Sequence, residues 1–167
     1  MSIVTTSDFV GDLSIAQIEQ ANIAANVEDF IVKYEAEYLL KVLGYTLLTA
    51  YNAGITAANA DYIKVRDGGT YVDFYGDTVK YPGMKAAIAN YIYYYYSVND
   101  STFTTGSGEQ TLQKATAASS LDKQVRAWNR MVNVNKSLRA FLQANTVYGF
   151  VSYNYNEMFV YQNTLGL

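Results

Sequence analysis

Residues 84–100 read MKAAIANYIYYYYSVND, and how this stretch folds decides the rest. Within NYIYYYYSVND (90–100), five of eleven residues are tyrosine, four of them consecutive from Tyr93 to Tyr96. Tyrosine is strand-prone, so a strand is the first reading. A strand would send alternate side chains to opposite faces, splitting Ile88 and Ile92 from Tyr91. At about 100° per residue, Met84, Ile88, Tyr91, Ile92, Tyr95 and Val98 instead share one side. The spacing predicts a helix. Tyr91 and Tyr95 face its core, Tyr94 and Tyr96 flank the boundary, and Tyr93 points outward. On that reading Tyr93→Ala leaves the isolated fold nearly intact but weakens assembly. Tyr95→Ala would cost a few kcal/mol, about the cost of truncating a buried aromatic.

Two further long helices follow from the same periodicity. Val27 to Gly44 carries Val27, Ile31, Tyr34, Tyr38 and Val42 at helical spacing, and Gly44 is a stop or bend before YTLLTAY continues the pattern to Tyr51. Ser119 to Ala144 carries the seam Leu121, Val125, Trp128, Val132, Asn135, Leu138 and Leu142, one position of it polar. Lys123, Arg126 and Arg130 line another face. Before these helices, residues 1–13 read as extended, with Val4 and Phe9 as lone anchors. Ser14 can cap a short helix over IAQIEQANIAA that Asn22 or Asn26 would end. Tyr71–Tyr75 and Thr78–Tyr81 are β-prone around Gly76-Asp77, which predicts a β-hairpin with a two-residue turn.

The expected fold is mainly α: a helical bundle of three long helices plus short helices, with one β-hairpin and an extended C-terminal arm. It forms a single domain over 1–167, with a long loop at 99–118 and the arm at 145–167. A structureless connection of that length is uncommon inside a domain and is usually functional. The arm is aromatic and β-prone, and Glu157 is its only ionisable side chain apart from tyrosines. Such a segment must fold back or pair with a neighbour.

Composition narrows the function. With no cysteine, disulfides and thiolate zinc sites are excluded, and with no histidine the commonest general base and metal ligand is missing. A net charge of −3 and a pI near 4.8 argue against a general nucleic-acid binder, which needs a basic footprint. The start MSIVTTSDFVGDLS lacks the basic and apolar regions of a signal peptide, and no run reaches the ~18 apolar residues of a membrane span. These features read as a soluble protein made in the cytoplasm.

No motif for chemistry emerges. Glu35 and Glu37 are two apart and face different directions on a helix. Glu28 and Asp29 suit the first turn of a helix dipole. GSGEQ (106–110) follows no strand and leads to no Lys-Ser/Thr, so flexible loop glycines explain it. Asp67, Asp73 and Asp77 lack the regular spacing of a calcium loop and read as turn residues. The expectation is no catalytic, cofactor-binding or metal site. Seventeen tyrosines with only 16% charged residues point to surface buried against other protein. The candidate interface residues are Tyr93, Tyr94, Tyr96, Phe103, Tyr153, Tyr155, Phe159 and Tyr161.

Several blocks, in order, resemble a known family: DFIVKYEAEYLLKVLGYTLLTAY (29–51), YPGMKAAIANYIYYYYSVND (81–100), TTGSGEQ (104–110), QVRAWNRMVNVNKSLRAFL (124–142) and NTLGL (163–167). The chain resembles the head-to-tail connector (neck or adaptor) proteins of tailed bacteriophages, as found in phages of Bacteroidetes. That resemblance implies a non-enzymatic virion protein, mostly helical, that forms a ring of usually about twelve copies beneath the portal. The ring joins the DNA-filled head to the tail. Its partners are copies of itself, the portal and tail or neck proteins, with DNA only as passing cargo and no membrane. The loop before the last long helix and the C-terminal arm typically reach neighbouring subunits or the portal. In this chain the tyrosine helix and the arm are the candidate contact surfaces, the arm by strand addition. The hairpin at 70–82 is less typical of the simplest members. Alternatives are another tail-completion or tail-terminator protein, or a tyrosine-rich module binding single-stranded nucleic acid or glycans.

Overall fold

Apolar residues at helical spacing form three long helices, as their periodicity predicts. The computed structural model describes residues 2–100, 102–105, 108–111, 114–149 and 157–163, with side chains for all of these except 102–120. Helix α1 spans Ala21–Thr56 and α2 Ala60–Asp67; strands β1 (Gly69–Val72) and β2 (Thr78–Tyr81) follow. Helix α3 spans Lys85–Asp100, strands β3 (Thr102–Thr105) and β4 (Gly108–Thr111) come next, and α4 covers Lys114–Ala144. The fold is mainly α with a β-hairpin.

The core is built around α3. It packs along α4 on one side and α1 on another. Ala87 to Tyr93 are all buried, so the helix has no solvent face over those two turns. A helix enclosed on all sides needs no amphipathic stripe. That overturns the expected exposure of Tyr93, which is only 6% exposed, and moves Tyr96 from the boundary into the core at 9%. Tyr94 and Tyr95 are half-buried, so Tyr95 belongs to the boundary rather than the core. The cover over Tyr93 is the chain's own N-terminal segment. The 3₁₀ turn Gly11–Leu13 contacts α3, and Ser14, Ile15, Ala16 and Gln17 line a cleft with Tyr93 and Tyr96. Burial pushes the Tyr93 phenol above its ordinary value, partly opposed by Arg126 of α4.

The N-terminal segment is held at both ends. Val4 and Phe9 are buried, as expected of anchors. Glu35, on the inner face of α1, accepts hydrogen bonds from Ser2 Oγ (2.6 Å), Ile3 N (3.0 Å) and Val4 N (3.1 Å). A buried carboxylate is costly alone, and these donors replace its water. At the other end Arg130 Nη2 donates to Asp12 Oδ2 at 2.5 Å. The expected separate helix after Ser14 is absent: α1 starts at Ala21 and runs through Asn22 and Asn26.

Gly44 is the expected bend. Its φ of +70° is not helical, so α1 consists of two arms that meet end to end at a kink. At the root of the hairpin two more glycines allow close backbone approach. A Cβ on Gly68 would meet Tyr81 O at 2.6 Å, and one on Gly83 would meet Arg66 O at 2.7 Å. Met84 N then donates to Arg66 O (2.9 Å), locking the start of α3 to the end of α2. Tyr81 fills the space beneath, its hydroxyl donating to Val65 O (2.9 Å) and its ring stacking on Phe141 at 4.9 Å.

Two expectations about connections need correction. The hairpin turn is a five-residue loop, not a two-residue one, because Val72 pairs with Thr78. Asp73 sets this: its carboxylate accepts from Tyr75 N and Asp77 N, both at 2.9 Å, and that local turn ends the strand early. Residues 99–118 are not one long loop. α3 runs to Asp100, β3 and β4 pair antiparallel with Thr102 opposite Thr111, and α4 begins at Lys114. Thr102–Thr105 is a β-prone run that the low apolar content of the segment obscures.

Tyr93→Ala should lower unfolding free energy by about 3–5 kcal/mol, as for other buried aromatic truncations, measured by urea denaturation. A midpoint equal to wild type would return Tyr93 to the surface. Glu35→Ala should speed amide hydrogen exchange at Ile3 and Val4 more than anywhere in α3. Unchanged exchange there would mean that Glu35 does not hold the segment.

Candidate functional site

The polar residue in the α4 seam organises the C-terminal part of the chain. Asn135 is fully buried. Its Oδ1 accepts from the Tyr38 hydroxyl of α1 through a short hydrogen bond, and its Nδ2 donates to Met158 O at 2.8 Å. Burial pushes the Tyr38 phenol far above its ordinary value, so it stays a neutral donor. One side chain thus joins α1, α4 and the C-terminal segment.

Neighbouring α4 residues extend this attachment. Trp128 Nε1 donates to Val160 O (2.8 Å), and Asn129 exchanges two hydrogen bonds with the backbone of Gln162, both 2.8 Å. Met158 is buried in the core. On the α1 side Lys41 Nζ lies 2.8 Å from Glu37 Oε1 and 2.9 Å from Glu157 Oε1. The Tyr91 hydroxyl donates to the same Glu37 oxygen (2.9 Å). Lys41 and Tyr91 together hold Glu37 below the usual carboxylate range despite partial burial. These carboxylates are ion-pair and hydrogen-bond partners in the packing.

The predicted interface residues separate into three groups. Tyr93 and Tyr96 belong to the core, and Tyr94 packs half-buried 4.9 Å from the Trp128 ring. Phe159 is partly buried under the Arg139 guanidinium at 5.7 Å. Tyr161 is half exposed, yet its hydroxyl donates to Asn133 Oδ1 (2.6 Å) and Lys136 Nζ sits 3.7 Å over its ring. Phe103 lies in β3 with its side chain outside the described residues, and Tyr153 and Tyr155 fall outside them altogether. The expected extended arm is, where described, two 3₁₀ turns at Thr146–Tyr148 and Glu157–Phe159, the second laid on α4. Side chains of α4 (Trp128, Asn129 and Asn135) hold the described part of it.

A surface absent from the predicted set is the tip of the β1–β2 hairpin. Phe74 is 97% exposed and Tyr75 85%, their rings edge to face at 5.6 Å. Val72 beside them is exposed too, and a cleft of about 530 Å³ separates this loop from Ala140, Gln143 and Ala144 of α4. The signal is present in VDFYGD: the aromatics fall on the turn itself once Asp73 is recognised as the turn-former. A second exposed feature is cationic. Lys123, Arg126 and Arg130 stand at i, i+3 and i+7 on the outer face of α4. Among the described residues no group of three His, Cys, Asp or Glu side chains could hold a metal ion, and no helix is long and apolar enough to cross a membrane.

Asn135→Ala would strand the Tyr38 hydroxyl and the Met158 carbonyl, at a cost of about 2–4 kcal/mol. Adding Tyr38→Phe should recover part of that loss in a double-mutant cycle. Additive losses would show that the two residues are not coupled. Compared with family models, curated proteins and solved structures, the chain matches none.

Proposed function

We propose that the chain is a structural, non-enzymatic subunit of a ring in a bacteriophage neck, between the portal of the DNA-filled head and the tail. The order of sequence blocks, quoted above, is what suggests this family. The observation that carries an assembly role is the hairpin loop, which places two large aromatic side chains almost wholly in water. Exposed apolar surface of this kind marks a contact with another molecule. The three-helix core supports it: apart from Tyr45 its tyrosines are used internally, and Lys41 beside them pairs with both Glu37 and Glu157. A base-stacking platform is the less favoured reading, because Tyr93 and Tyr96 are covered and are not free to stack. The acidic net charge also suits a subunit through whose ring DNA passes without sticking.

Native mass spectrometry of the purified chain, alone and mixed with a phage portal protein or tail proteins, should show a closed oligomer in at least one mixture. A chain that remains monomeric and binds neither partner would remove the proposal. A gel shift with single-stranded DNA that weakens as salt rises would favour the nucleic-acid alternative instead.

A further inference from the structure

The exposed hairpin loop and the cationic cluster on α4 are complementary in charge and chemistry. The loop Asp73–Asp77 holds two carboxylates, two aromatic rings and no cation. Neither Asp73 nor Asp77 forms an ion pair with a described residue. The cluster holds three cations against two carboxylates, Asp12 and Asp122. Asp12 pairs with Arg130, while Lys123 and Arg126 make no ion pair among the described residues. Guanidinium groups bind both carboxylates and aromatic faces.

Distance decides which groups can meet. The loop lies beside Ala140, Gln143 and Ala144, at the C-terminal end of α4. Lys123, Arg126 and Arg130 lie roughly ten to twenty residues earlier on the same helix, about 15–30 Å away at 1.5 Å per residue. A five-residue loop cannot span that within one chain. A nucleic acid would use the cluster but be repelled by the loop, and a membrane would reject the two carboxylates. A second copy of this chain uses both.

We propose that the Asp73–Asp77 loop of one copy docks on Lys123, Arg126 and Arg130 of the next. Phe74 and Tyr75 lie over the guanidinium groups, and Asp73 and Asp77 oppose the cations. Because the two surfaces differ, the contact runs head to tail and repeats from copy to copy. The inference rests on reading the chain as a self-assembling subunit and names the contact that would build it. The pull of Arg130, then of Arg126 and Lys123, on Asp12 holds that carboxylate below its usual range, in keeping with a cluster that attracts anionic side chains.

The absence of cysteine makes the test direct. Full-length Tyr75→Cys and Lys123→Cys chains, mixed and treated with a short bismaleimide, should give a cross-linked heterodimer. Neither variant alone should give a dimer, and the double variant should give a ladder. Asp77→Lys should weaken self-association of the wild-type background about fivefold, and Lys123→Asp in the same chain should restore it. Circular dichroism and the thermal midpoint report whether each variant is folded. An oligomeric chain that yields no heterodimer overturns this contact and leaves the ring reading standing. A ladder that grows into open filaments and never closes keeps the contact and overturns the ring. A wild-type chain monomeric up to about a millimolar overturns the contact as a self-assembly interface.

Discussion

The attachment of the C-terminal turn to the helical core depends on one buried carboxamide. Asn135 has two hydrogen-bonding ends and is shut off from bulk solvent, so both ends need partners within the fold. Tyr38 satisfies one end and the Met158 carbonyl the other. A leucine there would pack with any apolar surface; an asparagine accepts only the arrangement in which α1, α4 and the C-terminal turn all arrive. The polar break in the α4 seam is therefore a register device for three segments. Trp128 and Asn129 repeat the idea about two turns earlier, each tying a side-chain donor to a backbone carbonyl of the same segment.

Glu35 does for the N-terminal segment what Asn135 does for the C-terminal one. Both are polar groups on the inner face of a long helix, and each collects backbone groups of a segment with little regular structure. The chain thus wraps its two ends over a helical core by placing hydrogen-bonding side chains where periodicity calls for apolar ones. This explains why α3 is enclosed. α1 and α4 cover two sides, and the tethered N-terminal segment covers the third, over Tyr93 and Tyr96.

The three long helices are legible because a 3.6-residue period is a local signal, and Ile88, Tyr91 and Ile92 cannot share a strand face. Gly44 is legible as a bend because only glycine sits easily at positive φ. The enclosure of Tyr93 is not. Helical spacing ranks the faces of a helix, but it does not say what else in the chain will reach the weaker face. The hairpin loop is hidden for a related reason. The choice between a two-residue and a five-residue turn rests on the Asp73 carboxylate finding two backbone donors, and propensity alone does not see it. The interface candidates follow from assigning unexplained tyrosines to the outside. Most of the described ones are explained internally, and the two most exposed aromatics, Phe74 and Tyr75, sit instead in a turn.

The N-terminal wrap also sets an order of events. The residues that Asp12 and the segment around it contact lie in α3 and α4, about 80 to 120 positions later; Asp12 and Arg130 are separated by 118. On a ribosome the segment emerges well before its seat. Glu35 can capture Ser2 to Val4 early, across a loop of about 30 residues. The remainder must wait until α4 has been made, leaving the face of α3 that holds Tyr93 and Tyr96 open during synthesis. Closing it is then a late, non-local step of folding, and such steps tend to be the slow ones. In this chain the stretch around Asp12, made long before α3 and α4, is among the last to settle.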